Sequence, residues 1–98
     1  MNPEPSPWRL KEFIEHIDIW IGLEKPDVDL RIHVLAWAMR RDESPYQGAR
    51  RESGFPNLWF APVPQSNRNG QIVICYYEVF ESLHELRCKG FGTLSWPV

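Results

Sequence analysis

Four cations stand where they could grip a phosphate. Arg50 and Arg51 lie in a stretch without periodicity, and Arg87 and Lys89 sit two residues apart in an apolar, β-type segment. That spacing puts both side chains on one face of a strand. Guanidinium and ammonium groups hold phosphate oxygens through charge-assisted hydrogen bonds. Arg40 and Arg41 flank the other end of the same stretch, so the cluster would grow if the loop lay beside the strand face. The competing reading is a solvated surface, with Arg40 and Arg41 only complementing the negative end of a helix.

Other reactive residues group less well. Cys75 and Cys88 fall on predicted strands with no histidine at zinc-ligand spacing, so they read as small core hydrophobes. No metal site and no cofactor is expected. Gly90-Phe91-Gly92 opens no helix and so lacks a nucleotide-cradling geometry. His16, His33 and His84 are far apart in sequence, and no nucleophile–base pair emerges from their spacing. Trp59 and Trp96 are candidate interaction residues, since tryptophan is enriched at interfaces, although core filling competes for it.

Two helices and three strands must position these groups. Ser6-Pro7 is a helix start signal, and Leu10, Phe13, Ile14, Ile17, Trp20 and Ile21 follow helical spacing, predicting a helix over about 7–21 with Gly22 as its left-handed cap. A second helix opens at Pro26-Asp27 and ends at Arg40-Arg41. Its apolar stripes, Val28/Ile32/Leu35/Met39 and Leu30/Val34/Trp37/Ala38, predict cover on two sides. Residues 42–57 read as loop. Strands are predicted at 58–64, 72–80 and 85–94, with a turn at 65–70. A four-residue hairpin loop, Glu81 to His84, sets Glu78 opposite Arg87 and Tyr76 opposite Lys89, and avoids opposing Glu78 to Glu85. Val73, Cys75, Tyr77, Val79, Leu86 and Cys88 then share the core face. Tyr76, Glu78, Arg87 and Lys89 share the other. The expected fold is α+β, two N-terminal helices on an antiparallel sheet of three to four strands. It is a single domain over 1–98, with an extended lead at 1–6, a helical pair at 7–42 and the sheet at 58–94. A short piece around Asn2–Ser6 is a candidate edge strand.

Composition narrows the function classes. The chain has 98 residues, 43% hydrophobic, with thirteen aromatics and nine prolines, which argues against disorder. The net charge of −2 argues against strong sequence-independent nucleic-acid binding. That charge is unevenly placed: residues 1–29 carry −4, residues 30–60 carry +2, and the remainder balances. No membrane-length apolar run and no signal-peptide pattern is present, so a soluble cytoplasmic protein without a membrane partner is expected.

The layout over about 27–94 resembles the RelE/ParE-type toxin superfamily. The residues that carry the likeness are the helix Asp29-Leu30-Arg31-Ile32-His33-Val34-Leu35-Ala36-Trp37, the breaker Ser44-Pro45, Gly48-Ala49-Arg50-Arg51 leading to Leu58-Trp59-Phe60, and the hairpin end Leu86-Arg87-Cys88-Lys89-Gly90-Phe91-Gly92. The resemblance implies an antiparallel sheet packed on two helices. It also implies either cleavage of messenger RNA at the ribosome or inhibition of gyrase, and a cognate antitoxin that silences the protein. On the first reading Arg50, Arg51 and Lys89 hold phosphate. Arg87 stabilises its developing charge, and Tyr76 or His84 assists proton transfer. The family's first strand precedes its first helix, and here that segment is short and Pro-rich. Two further departures stand out: the chain is acidic where such ribonucleases are basic, and Ser95-Trp96-Pro97-Val98 offers no terminal Tyr or His. They favour the alternative of a non-catalytic interaction or inhibitor domain. A structural oligomerisation domain is a third reading, supported only by the aromatic excess. Neither the enzymatic status nor the oligomeric state is fixed by sequence.

Overall fold

The computed structural model describes residues 7–95. The candidate edge strand at 2–6, the Ser6 cap and Trp96 lie outside the described residues. The element order is β1 (Arg9–Lys11), α1 (Phe13–Glu24), α2 (Val28–Met39), β2 (Arg50–Arg51), β3 (Leu58–Pro62), β4 (Gln71–Phe80) and β5 (Glu85–Ser95). Five strands form one sheet in the order β1-β5-β4-β3-β2. The α+β expectation holds, but the sheet is larger than three to four strands and is mixed, because β1 runs parallel to β5.

Strand β1 corrects the start of the first helix. Leu10 belongs to a strand and pairs with Leu86. The chain then turns sharply at Glu12, which is left-handed (φ 65°), and the helix begins at Phe13. Leu10 and Phe13 both reach the core from different elements, so their three-residue spacing imitates a continuous helical face. The far end of α1 is corrected too. Gly22 is an interior helical residue, and the left-handed position is Lys25 (φ 48°), whose N–H donates to the Ile21 carbonyl. Helix α2 starts as expected: the Asp27 carboxylate accepts a hydrogen bond from Leu30 N at 2.8 Å.

Both helices cover one face of the sheet. Phe13, Ile17 and Trp20 from α1 meet Leu30, Val34 and Ala38 from α2 over Val73, Cys75, Tyr77, Val79, Leu86 and Cys88. The expectation that α2 is covered on two sides is not met. Val28 and Ile32 are 62% and 61% exposed, and Leu35 is exposed beside them. Helix α1 likewise leaves Ile14, Ile19 and Leu23 in solvent.

The hairpin register matches expectation at its closed end. Phe80 pairs with Glu85, and Glu78 with Arg87. Beyond Tyr77 the register shifts by one, so Tyr76 faces Gly90 rather than Lys89. Lys89 is the extra residue of a bulge. A short pairing of Arg50 and Arg51 with Phe60 and Trp59 converts part of the predicted loop into β2. The segment between α2 and β2 is pinned onto the core: the Tyr77 hydroxyl donates to the Pro45 carbonyl at 2.5 Å.

Candidate nucleic-acid interface

Alternation along the strands sorts side chains between the helix-covered face and the opposite, outer face. Three rows of residues cross the hairpin end of the outer face, and beyond them the same face carries the apolar rows Pro62, Ile74, Gly92 and Ile72, Leu94, in which Ile72 and Ile74 are buried. The first runs Arg50, Phe60, Tyr76 and Gly90. The second runs Leu58, Glu78, Arg87 and Lys11, and the third Phe80, Glu85 and Arg9. The bulge adds Lys89 to the same face, where its ammonium lies 3.7 Å from the Glu78 carboxylate. Five cations (Arg9, Lys11, Arg50, Arg87, Lys89) thus share the outer face with three carboxylates, Glu78, Glu85 and Glu52, the last continuing the second row through its N–H bond to the Leu58 carbonyl, in a chain whose net charge is −2.

The carboxylates organise the cations. Glu85 is only 5% exposed and receives Arg87 Nη2 at 3.0 Å and Arg9 Nη2 at 3.8 Å. Arg9 also donates to the Leu83 carbonyl, which fixes its guanidinium at the hairpin end. Arg87 lies over the Phe80 ring at 5.5 Å. A nearly buried acid holding two guanidinia leaves their outward N–H groups oriented for a second anion. Phe60 and Tyr76, with ring centroids 6.0 Å apart, supply an aromatic surface between Arg50 and the Arg87–Lys89 group.

The structure brings together Arg50, Tyr76, Arg87 and Lys89 on one face. Arg50 lies across three inter-strand steps from β5, roughly 14 Å, so the cations form a band and not a single pocket. Arg51 is not part of it. As the neighbour of Arg50 on a strand it points to the other side, near Glu52, Gly54, Phe55 and Pro56. His84 sits at the hairpin tip in a left-handed conformation, stacked on Trp8 at 4.1 Å, about four strand residues or 13 Å beyond Tyr76. Trp59 is half-buried, packed against the core and 4.8 Å from Tyr46. Sequence reasoning left Arg9, Lys11, Phe60, Glu78 and Glu85 out of the site. The polar–apolar–polar pattern Arg9-Leu10-Lys11 was the available signal for the first two, hidden by the helical spacing that runs through Leu10.

Groups with displaced ionisation lie off this face. Burial pushes the Cys75 thiol and the Tyr77 phenol upward, with the neighbouring Cys88 thiol adding to the first. Burial and a hydrogen bond from its hydroxyl to Glu81 push Tyr46 up to about 12. Cys75 and Cys88 are both free and fully buried. Among the described residues no helix is long and apolar enough to cross a membrane.

No family model matches the chain, and no curated protein matches it in sequence. Among solved structures it is similar to the E. coli toxin RelE, a double arginine-to-alanine mutant in the free state. The two are 15% identical, with a TM-score of 0.59, and the match covers 88% of this chain and 82% of that one. At this identity the likeness is one of fold: the chain has a RelE-like fold, as the resemblance in the sequence implies.

Proposed function

We propose that the chain is a toxin-type module that engages RNA on the outer face of its sheet. The observation that carries this reading is the gathering of five cations and three aromatic rings at the hairpin end of the sheet face opposite the helices, in an acidic protein. Phosphates supply the affinity for such a band, and rings supply stacking for unpaired bases. The toxin named for the similar structure adds weight to the toxin class. Where RNA is cut, Arg87 and Lys89 neutralise the phosphate in the transition state. Glu78, beside Lys89, takes the proton of the 2′-hydroxyl as its oxygen bonds to phosphorus; the P–O5′ bond breaks, and Tyr76, two residues back on the same face of β4, gives a proton to the departing 5′-oxygen, leaving a 2′,3′-cyclic phosphate. His84, at the hairpin tip, is too far along the strand to share that step.

Induced expression tests the reading. Growth arrest with shortened messengers is expected for the parent chain, and both effects are lost in Arg87→Glu. Messenger cleavage retained by that variant contradicts the assignment of the site.

A second reading is favoured by one specific observation. The exposed apolar residues of α2 (Val28, Ile32, Leu35) and α1 (Ile14, Ile19, Leu23) suit an amphipathic protein partner, such as an antitoxin or an inhibited target. Growth arrest without any RNA change, together with a partner recovered only by the parent chain and not by Ile32→Glu, would support it.

A further inference from the structure

A cavity of about 500 Å³ opens on the helix side of the molecule, away from the cation band. The last two turns of α2 form one wall, the 43–48 segment a second, and Pro62 and Pro64 a third. Its apolar lining is Ala36, Trp37, Pro62 and Pro64. Its polar lining includes Arg40, Arg41, Ser44 and Gln47.

Two guanidinia meet here, and among the described residues neither forms an ion pair. Arg41 is only 5% exposed. Its hydrogen bonds go to neutral acceptors: Nε to the Trp37 carbonyl at 3.3 Å, and Nη1 to the carbonyls of Gln47 at 2.9 Å and Ser44 at 3.4 Å. The guanidinium also stacks over the Trp37 ring at 4.4 Å. These contacts engage Nε and Nη1 but bring no opposite charge to the guanidinium. A buried cation without a counter-ion is costly, and an anion at the cavity would relieve that cost. Arg40 is exposed at the same cavity, and among the described residues its side chain makes no hydrogen bond. Glu43 and His33 also line the cavity, the His33 ring meeting the Pro64 carbonyl at 2.5 Å; the Glu43 carboxylate offsets one of the two arginine charges, so arginine and glutamate together leave the lining net positive by one. The volume suits a ligand of mononucleotide size.

We infer that this cavity binds a small planar organic anion, its phosphate or carboxylate held by Arg40 in the field of Arg41 and its ring set against Trp37 and the two prolines. The site is separate from the cation band, and the inference stands whether or not that band engages RNA.

Titration calorimetry and thermal shift on the full chain test it. The probes are the four nucleoside monophosphates, the matching nucleosides and benzoate. Saturable binding by a monophosphate or by benzoate is expected, with a rise in Tm. Which of the two binds tells phosphate from carboxylate. Nucleosides should bind at least about tenfold more weakly than their monophosphates, the loss expected when a charge-assisted contact is removed. Arg40→Gln lies on the surface, keeps the fold, and should weaken binding by a similar factor. Arg41→Met should abolish binding, and if it fails to fold the Arg40 variant decides alone. The inference is overturned if no anion binds, if nucleosides bind as well as monophosphates, or if Arg40→Gln binds like the parent.

Discussion

Glu85 is the residue on which the outer face turns. It is a nearly buried acid with two arginines on it, and removing one partner leaves part of its charge unmatched. Arg87→Ala is therefore expected to cost about 1–3 kcal/mol in urea denaturation, in addition to any loss of RNA binding. Lys89→Ala separates the two effects. Its pair with Glu78 is half-exposed, so stability should change by less than about 1 kcal/mol while RNA affinity falls. Tyr46 gives a pH prediction. Its phenol ionises at about 12 in the folded chain, above the ordinary value of 10.0. The folded state thus binds the proton more tightly than the unfolded state. That contribution is complete below about pH 10 and is lost as pH rises towards 12. Tyr46→Phe should flatten the alkaline fall in stability over that window, read as Tm against pH. A fall unchanged in the variant would show that other groups cause it.

At the scale of elements, strands were more legible than helix ends. Alternation in β4 and β5 announces their two faces, and the clash of Glu78 with Glu85 selects the hairpin loop. The bulge was not legible, because one extra residue changes no composition, and only Gly90 marks the place. Arg51 was separable from Arg50 in principle, since neighbours on a strand point apart, but β2 has only two residues and lies in a stretch full of breakers. Helix α1 shows a different limit: capping chemistry was read at Gly22 because glycine is the usual left-handed residue, whereas the chain uses Lys25. This yields a prediction of opposite sign for the two readings. Space is open around a Cβ at Gly22, and its backbone is helical. Gly22→Ala should stabilise by up to about 1 kcal/mol, and Lys25→Gly should also stabilise by a few tenths to 1 kcal/mol. A loss of stability in Gly22→Ala, read from the urea midpoint, would return the cap to Gly22.

For the molecule as a whole, net charge was the least informative quantity. The total of −2 hides an acidic helical layer and a sheet face on which cations outnumber acids five to three. Arg50, Arg87, Lys89 and Tyr76 were recognisable as a group because strand alternation is local. Arg9 and Lys11 were not, because they reach the face through a parallel pairing with β5, some 75 residues later in the chain. The exposed apolar stripes of the helices were equally hidden, since periodicity shows that a stripe exists but not that anything covers it. Fluorescence anisotropy of a labelled single-stranded RNA tests most directly whether the sheet face binds RNA. Binding should weaken with salt, log K falling against log[salt] at a slope of roughly −2 or steeper for three or more phosphate contacts. It should be lost in the double variant Arg50→Glu/Lys89→Glu. No binding at low salt, or a double variant that binds like the parent, would contradict RNA binding by the sheet face.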